Sequence, residues 1–435
     1  MDNRFNDLSS KEWLPFQKSF TRFETMEALV WSNLRFFTKP SSSSEPAIAA
    51  WGNAEFMDIA KSCAEDLNIR YDVKEQEFSF LACDLTGNES EPESIQACMD
   101  WISSSGPRLG HQKFLWVLVS NALLDQSGLP LAWTISNVLS GFLTRKDEKI
   151  ICLPGGRTWT ALYFRRDDQS QMTKPRLEAA ELRRWKNNTL PGWFIIKPRP
   201  RSKEEILHPA KYPEELVRLY LDHFSREGDL VFDPMSGTGS TQVAALKLKR
   251  MTYGVELSPL FHQIAQDRCR ENLGPGGKFK LIQGDARKIE SMKFPTMDYV
   301  ITSPPYWDML NMKGAEIQAA RRQKGLKTNY SDNKNDLGNE TDYDTFLNLL
   351  FEVYQQTANL LKSGGCLTIV VKNVKKKGLH YPLAFDLGEK LTASGMKMVH
   401  LGFWCQDDLR IAPYGYRYTW VSNTFHHYCL TFQKP

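Results

Sequence analysis

Short apolar segments and amphipathic segments alternate along the chain from about residue 228 to its end. The predicted strands are 229–233, 252–256, 279–283, 297–302, 366–371, 397–404 and 424–432. Predicted helices lie between them at 238–249, 258–272, 342–362 and 382–394. Alternation of this kind predicts an α/β fold, in which helices cover both faces of a mostly parallel sheet of seven strands. Since the last two strands have no helix between them, we expect one of them to run antiparallel near the edge.

The first half of the chain has a different pattern. Residues 1–46 form an aromatic-rich segment that ends in a Ser-rich linker. Helical spacing dominates the stretch that follows, as in Phe56, Ile59, Ala60 and Cys63, and the apolar run 114–124 is interpreted as a buried helix. We therefore predict a mostly helical domain over 47–194, a candidate for target recognition, and no internal repeat.

Composition narrows the class of protein. The chain has 55 Lys and Arg against 51 Asp and Glu, and this balance of +4 is too small to identify a partner. No apolar run approaches the roughly 18 residues of a membrane helix, and the N-terminus lacks an apolar signal core, so we expect a cytoplasmic protein without a membrane partner. The eight cysteines are scattered without a C-x-x-C pair, which argues against disulfides and against a metal site.

One basic segment stands out. Residues 165–203 contain eleven Lys or Arg against four Asp or Glu, with Trp185, Trp193 and Phe194 interleaved. Cations for phosphates and flat side chains for bases are typical of nucleic-acid binding. A solvated helix over 177–186, with Trp185 packed inward, explains the segment equally well.

A strand, a glycine-rich turn and a helix follow one another in the segment 230–240. The strand ends in Asp233, the turn contains Gly237 and Gly239, and glycines there let a ligand approach the backbone. The helix N-terminus that follows favours a carboxylate. A dinucleotide-binding turn would have a third glycine and a Walker loop would have Gly-Lys, and neither is present, which argues against a dehydrogenase.

Two further acids end the next two strands. Glu256 is placed to hold a ribose through its two hydroxyls. Asp285, followed by Ala286, is placed to accept a hydrogen bond from an adenine amino group. Each acid alone could be a helix cap or a surface charge, but three acids at three successive strand ends favour a nucleoside cofactor.

The fourth strand runs into Ser303-Pro304-Pro305-Tyr306. Two prolines after a strand end the ladder and fix the backbone. The Ser303 hydroxyl and the Pro304 carbonyl can then accept hydrogen bonds from both N–H groups of an exocyclic amine on a nucleobase. The lone pair of that nitrogen becomes free to attack a methyl group. Tyr306 offers a face on which the base can stack. The alternative is a proline-stiffened turn with Tyr306 filling the core.

Both motifs resemble those of S-adenosylmethionine-dependent methyltransferases, and the second resembles the amino-group DNA methyltransferases, which act on cytosine N4 or adenine N6. The resemblance implies a Rossmann-like methyltransferase domain over 195–435, and the Ser form of the motif is more usual among N4-cytosine enzymes. It implies cofactor roles for Asp233, Pro234, Gly237, Gly239, Glu256, Asp285 and Ala286, and for His208 and Lys211, which would close over the methionine end.

The same resemblance implies duplex DNA with a flipped base as substrate, no metal, and a restriction-modification setting. The candidate DNA contacts lie in two loops: Arg321, Arg322 and Lys324 in the polar insertion 310–341, and Lys375 and Lys376 after the fifth predicted strand. An RNA or protein-amide methyltransferase, or a catalytically silent cofactor-binding interaction protein, remain alternatives. The recognition sequence and the oligomeric state stay open.

Overall fold

The fold is that of a computed structural model, which describes residues 8–38, 45–72, 77–87, 92–177, 182–185, 190–197, 212–307, 335–376, 378–408 and 422–435. The chain divides into two compact units. The N-terminal unit comprises residues 1–193 together with 375–381 and 408–426, and the C-terminal unit comprises 194–374, 382–407 and 427–435. Within the described ranges no helix is long and apolar enough to cross a membrane.

The N-terminal unit is built around a sheet of seven strands. Its elements are α1 (Ser10–Phe16), β1 (Phe20–Arg22), α2 (Met26–Phe37), β2 (Ala47–Trp51), α3 (Ala54–Asp66), β3 (Arg70–Tyr71), β4 (Phe78–Leu85), α4 (Pro92–Ser105), β5 (Leu109–Ser120), β6 (Leu123–Leu124), α5 (Leu131–Ser140), β7 (Thr144–Cys152), β8 (Thr158–Arg165) and β9 (Arg183–Arg184). The strand order is β1-β7-β8-β5-β4-β2-β3, and β6 pairs separately with β9. Strand β8 runs antiparallel to both of its neighbours, whereas the other pairings are parallel.

The prediction of a mostly helical N-terminal domain is therefore wrong. The helix predicted from Phe56 to Cys63 exists as α3, but the apolar run 114–124 is mainly the strand β5. A strand that is buried on both faces is apolar at every position, so its periodicity cannot be distinguished from that of a buried helix. The helix predicted over 177–186 is wrong at Arg183 and Arg184, which form β9.

The C-terminal part of the chain follows the predicted alternation. Its elements are β10 (Trp193–Ile195), α6 (Glu214–Phe224), β11 (Leu230–Asp233), α7 (Ser240–Lys247), β12 (Met251–Glu256), α8 (Pro259–Glu271), β13 (Phe279–Gln283), β14 (Met297–Thr302), α9 (Tyr343–Leu360), β15 (Leu361–Val371), β16 (Val374–Lys376), β17 (Leu379–Tyr381), α10 (Leu383–Ala393), β18 (Lys397–Cys405) and β19 (His426–Gln433). Strands β16 and β17 pair only with each other.

The predicted fold class is confirmed in this sheet. Its order is β10-β18-β19-β15-β14-β11-β12-β13, so β10 adds one edge strand to the seven expected. Strands β11 to β15 pair in parallel, and the last strand β19 runs antiparallel to β15, as the missing helix indicated. Because parallel strands end at a common edge, the segments after β11, β12, β13 and β14 lie at one edge of the sheet.

Candidate active site

The turn after β11 has a backbone that only glycine adopts easily. Gly237 has φ +52° and Gly239, which caps α7, has φ +81°, both in the left-handed region. A Cβ atom on Gly239 would lie 3.1 Å from the Cβ of Ala265 on α8, so a side chain there would also crowd the neighbouring helix. The amide of Ser236 donates to the carbonyl of Val255 at 2.9 Å, which fixes the turn against β12.

Asp233 is fully buried beneath this turn. Its carboxylate accepts hydrogen bonds from the Met235 amide at 3.0 Å, the Thr241 hydroxyl at 2.6 Å and the Tyr212 hydroxyl at 3.1 Å. Burial raises the pKa of Asp233 above its ordinary value, although these hydrogen bonds oppose the shift. The acid predicted at this strand end therefore holds the Gly237-Gly239 turn from inside.

Glu256 ends β12 and contacts the same turn. Its two carboxylate oxygens accept the amide of Gly237 at 2.8 Å and the amide of Ser258 at 2.8 Å. Burial raises the pKa of Glu256 to about 7, and the two amides act against that rise. The carboxylate thus connects the first and second strand ends and changes its ionisation near neutral pH.

Asp285 follows β13 and caps a short 3-10 helix that begins at Ala286. The Arg287 guanidinium binds its carboxylate, with one nitrogen–oxygen distance of 2.6 Å. Burial acts to raise the pKa of Asp285, but the hydrogen bonds and charge of Arg287 outweigh it, and the pKa is lowered. Asp285 is therefore an ionised carboxylate at the third strand end, with an arginine that the sequence analysis missed.

The turn Ser303-Pro304-Pro305-Tyr306 begins directly after β14. Ser303 is half-buried, Pro304 is buried and Tyr306 is only 6% exposed. The Ser303 and Tyr306 side chains share a hydrogen bond, and burial raises the pKa of the Tyr306 phenol. The Tyr306 ring lies 6.0 Å from the His427 ring, which stacks on Trp404 at 4.2 Å. The turn thus adjoins an aromatic cluster, Tyr306-His427-Trp404.

The two predicted turns lie next to each other. Strands β11 and β14 are direct neighbours, in the register Val231 to Tyr299. The Thr241 hydroxyl, which donates to Asp233, also lies 3.4 Å from the carbonyl of Ile301, two residues before Ser303. The structure therefore places the Gly237-Gly239 turn and the Ser-Pro-Pro-Tyr turn at one edge of one sheet.

The remaining predicted site residues divide into two groups. His208, Lys211, Arg321, Arg322 and Lys324 lie outside the described residues.

Lys375 and Lys376 lie on β16. The ammonium of Lys375 pairs with the carboxylate of Asp147, which is fully buried, and also contacts the carbonyl of Ser422 at 3.0 Å. The prediction that Lys375 contacts a DNA phosphate is therefore corrected, because its ammonium is already paired with Asp147 inside the N-terminal unit. Lys376 is half-buried.

Sequence reasoning missed two hydroxyl groups of this site. Tyr212 contacts both Asp233 and Thr241, and both hydroxyl residues are buried. Tyr212 stands immediately before Pro213, in the segment that the resemblance assigned to the methionine end, and this was the only available signal. Thr241 is one of several polar residues at the start of α7, and periodicity alone does not single it out.

Parts of the chain are similar to known DNA methyltransferases. A family model described as DNA methylase, of the N6/N4 type, matches residues 131–267. The type II methyltransferase M.HindIII of Haemophilus influenzae is 32% identical over 98 residues, which are 20% of this chain and 32% of that protein. M.MthZI of Methanothermobacter thermautotrophicus is 31% identical over 154 residues, 34% of this chain and 42% of that protein. The orphan methyltransferase M.BamHII of Bacillus amyloliquefaciens is 40% identical over 63 residues, 14% and 24% of the two chains.

The sheet order and the two turns define a Rossmann-like methyltransferase. Residues 131–267 match the N6/N4 DNA methylase family model, and parts of the chain are similar to type II DNA methyltransferases, so the resemblance found in the sequence is confirmed. It spans less than half the length of each of the three relatives.

Proposed function

We propose that this protein transfers a methyl group from S-adenosylmethionine to the exocyclic amine of a flipped base in duplex DNA, with cytosine N4 preferred over adenine N6. Type II methyltransferases among its relatives support a restriction-modification setting. The Ser form of the catalytic motif supports the preference for cytosine.

The residues at the edge of the C-terminal sheet fit the cofactor. The left-handed turn with Gly237 and Gly239 leaves room for the methionine part, Glu256 would bind the ribose, and Asp285 with Ala286 would bind the adenine. Bound S-adenosylmethionine would supply an electrophilic methyl group on its sulfonium. Because Glu256 also holds the Gly237 amide, ribose binding and turn conformation are coupled through one carboxylate.

The catalytic turn would activate the amine without a covalent intermediate. The Ser303 hydroxyl and the Pro304 carbonyl accept one N–H each, which withdraws the nitrogen lone pair from the ring. The fixed backbone holds the nitrogen in line for attack, and positioning of this kind contributes much of the rate. Stacking of the base on Tyr306, whose ring lies 6.0 Å from the ring of His427, would offset the few kcal/mol that base flipping costs.

The neighbouring positions of the two turns carry this proposal. Thr241 hydrogen-bonds Asp233 below the cofactor turn and approaches Ile301 on the catalytic strand. Donor and acceptor would therefore meet at one sheet edge, which a methyl transfer in one step requires.

Methyl transfer to purified polymers tests the proposal. The protein is incubated with tritiated S-adenosylmethionine and duplex DNA, RNA or protein, and labelled DNA is digested to nucleosides. We expect label in DNA as N4-methylcytosine. N6-methyladenine would overturn the base preference, and label only in RNA or protein would overturn the substrate.

The variant Ser303→Ala tests the role of the hydroxyl. We expect it to abolish transfer while S-adenosylmethionine still binds, as measured by calorimetry. Ser363→Ala, which removes an exposed hydroxyl bonded to the terminal carbonyl of Pro435, is the matched control and should keep full activity. Loss of transfer and cofactor binding together in Ser303→Ala would contradict the role assigned to Ser303.

A further inference from the structure

The two units of this chain have the same strand order. Numbered by their order along the chain, the strands of the N-terminal sheet are arranged 1-6-7-5-4-2-3, and those of the C-terminal sheet have this arrangement once the edge strand β13 is left out. The connecting helices correspond as well: α2, α3, α4 and α5 occupy the places of α6, α7, α9 and α10. The prediction that the chain has no internal repeat is therefore wrong at the level of the fold.

A weak sequence repeat follows this correspondence. The segment from β5 into α5 and the segment from β15 into α10 align without a gap, and each has an asparagine after the strand and Pro-Leu-Ala at the helix start. The matching residues are Asn121 and Asn373, Pro130 and Pro382, Leu131 and Leu383, and Ala132 and Ala384. The family match also begins at residue 131, so it includes α5, β7 and β8 of the N-terminal unit.

Strand register gives the same alignment at the catalytic turn. In the N-terminal sheet Cys83 pairs with Val117, and in the C-terminal sheet Thr302 pairs with Ile369. Both ladders have a register shift after their first pair. The alignment of β5 with β15 makes Val117 equivalent to Ile369, so the segment 84–87 occupies the place of Ser303-Pro304-Pro305-Tyr306.

The N-terminal copy has lost the chemistry of this turn. It reads Asp84-Leu85-Thr86-Gly87, without prolines or an aromatic ring. The Asp84 carboxylate accepts the amide and the hydroxyl of Thr86 at 2.9 and 2.7 Å, so it closes its own turn.

The cofactor site is lost as well. In the N-terminal sheet Ile48 pairs with Phe80, and in the C-terminal sheet Val231 pairs with Tyr299. Because Phe80 is equivalent to Tyr299, Ile48 is equivalent to Val231. Two residues further along the strand, Ala50 therefore occupies the position of Asp233. The side chain of Asn53 caps α3 in place of a glycine-rich turn. Only residues 72–77 connect β3 to β4, too short a segment for a helix and strand equivalent to α8 and β13.

The same edge of the N-terminal sheet carries positive charge instead. Arg157 precedes β8 beside the ends of β5 and β7, and Arg183 and Arg184 pair with the short strand that follows β5. All three arginines are exposed, and in the described part of the chain none forms an ion pair with a carboxylate. Asp125, at this edge, binds the side chains of Ser127 and Thr134 rather than an arginine.

Two indoles connect to these arginines through the backbone. The Trp185 N–H donates to the carbonyl of Asn121 at 2.7 Å, and the Trp193 N–H donates to the carbonyl of Leu153 at 2.8 Å. The Leu153 amide in turn donates to the carbonyl of Arg157 at 2.9 Å. Both tryptophans are half-buried, so the arginines lie on a fixed surface that includes aromatic side chains.

We infer that the N-terminal unit is a cofactor-free copy of the methyltransferase fold, and that its carboxyl edge binds the phosphate backbone of duplex DNA through Arg157, Arg183 and Arg184. Exposed guanidinium groups without carboxylate partners suit phosphate oxygens, which they bind in bidentate fashion. The choice of DNA rests on the proposed function, whereas the phosphate surface rests on the arginines alone.

Salt-dependent DNA binding by the full-length chain tests this inference. The double variant Arg183→Ala/Arg184→Ala is compared with Lys11→Ala/Lys61→Ala, which removes two exposed cations of the same unit from α1 and α3. All variants carry Ser303→Ala, so binding is read without turnover. We expect the arginine variant to bind duplex DNA at least tenfold more weakly and to lower the slope of log affinity against log salt by about two, since each phosphate contact contributes about 0.9. The lysine variant should match its parent.

Cofactor stoichiometry tests the other part of the inference. We expect one S-adenosylmethionine per chain by calorimetry, and binding unaffected in the arginine variant; two per chain would overturn the assignment of an empty copy. Equal loss of DNA binding in both double variants, an unchanged salt slope, or tighter binding of duplex RNA would overturn the DNA surface. Methyl transfer by the wild type is scored separately, so failure of the proposed function would not be confused with failure of this surface.

Discussion

Thr241→Val removes one donor from a carboxylate that has no access to water. Asp233 and Thr241 are both fully buried, and the hydroxyl lies 2.6 Å from the carboxylate. Valine keeps most of the shape of threonine, so the main loss is one hydrogen bond to a charged group, which contributes about 1.5–3 kcal/mol. We expect the free energy of unfolding of the C-terminal unit to fall by about that amount at neutral and alkaline pH.

The penalty should depend on pH. Loss of a hydrogen bond to the charged form favours the protonated form, so the pKa of Asp233, which burial already raises, should rise further. A carboxyl with a raised pKa binds more protons in the folded state, so stability falls as pH increases from the unfolded to the folded pKa. The variant extends this window upward, and its penalty should shrink as acid protonates Asp233 in the folded chain.

Thr368→Val is the matched control in the same sheet. The Thr368 hydroxyl is equally buried but bonds only neutral groups, the hydroxyls of Tyr299 at 2.7 Å and Thr431 at 2.8 Å. Its loss should cost about 0.5–1.5 kcal/mol, with little change across the pH range.

Hydrogen exchange of peptides from α7 and β11, measured against urea between pH 5 and 9, reports the C-terminal unit by itself. The same measurements in an Asp233→Asn background test whether Asp233 is the partner of Thr241. Thr241→Val should lower the free energy of unfolding by less there, because the charged acceptor is absent. A Thr241→Val penalty that is constant with pH, or equal in the two backgrounds, would refute the role of Asp233 as an ionised anchor of the turn.

Three further predictions concern charge and backbone. Because burial raises the pKa of Glu256 to about 7, calorimetry should show S-adenosylmethionine affinity increasing as pH rises through 7, and Glu256→Gln should bind more weakly and independently of pH. Gly239→Ala places a Cβ only 3.1 Å from α8 at a residue with φ +81°, and it should lower the S-adenosylmethionine affinity at least tenfold. Gly228 has a similar φ of +88° but lies in open space, so Gly228→Ala should lower stability by about 1–2 kcal/mol and leave that affinity unchanged. Lys375→Met removes the ammonium paired with buried Asp147 and should lower stability by about 3–5 kcal/mol in thermal unfolding; a loss below about 1 kcal/mol would contradict that ion pair.

The C-terminal sheet was predictable because its helices are amphipathic and its strands are short and separated. The strand ends at Asp233, Glu256 and Thr302 lie where the apolar segments end in the sequence. The N-terminal sheet was not predictable for two reasons. Strand β5 is apolar on both faces, and β7 contains four consecutive charged residues that sequence reasoning would place in solvent but that are buried: Lys146, Asp147, Glu148 and Lys149.

The internal repeat escaped detection for a related reason. A fold of this type depends on where apolar residues occur, and many different apolar residues satisfy the same position, so two copies can diverge while their strand order remains. Asn121 with Asn373 and Pro130 with Pro382 are few identities among many substitutions. The correspondence between the two units becomes definite only in the strand pairings, because β4–β5 and β14–β15 have the same register shift.

By itself the sequence determined the resemblance to DNA methylases, the alternating sheet of the second half, and the two motifs at its strand ends, because those depend on residue type and local spacing. Tertiary structure alone decided that Asp233 is an internal anchor, that Lys375 is paired inside the N-terminal unit, and that the first half repeats the fold of the second. Each of these depends on which distant segments pack together, and a linear pattern of side chains does not specify the partner of a buried charge or the neighbour of a strand.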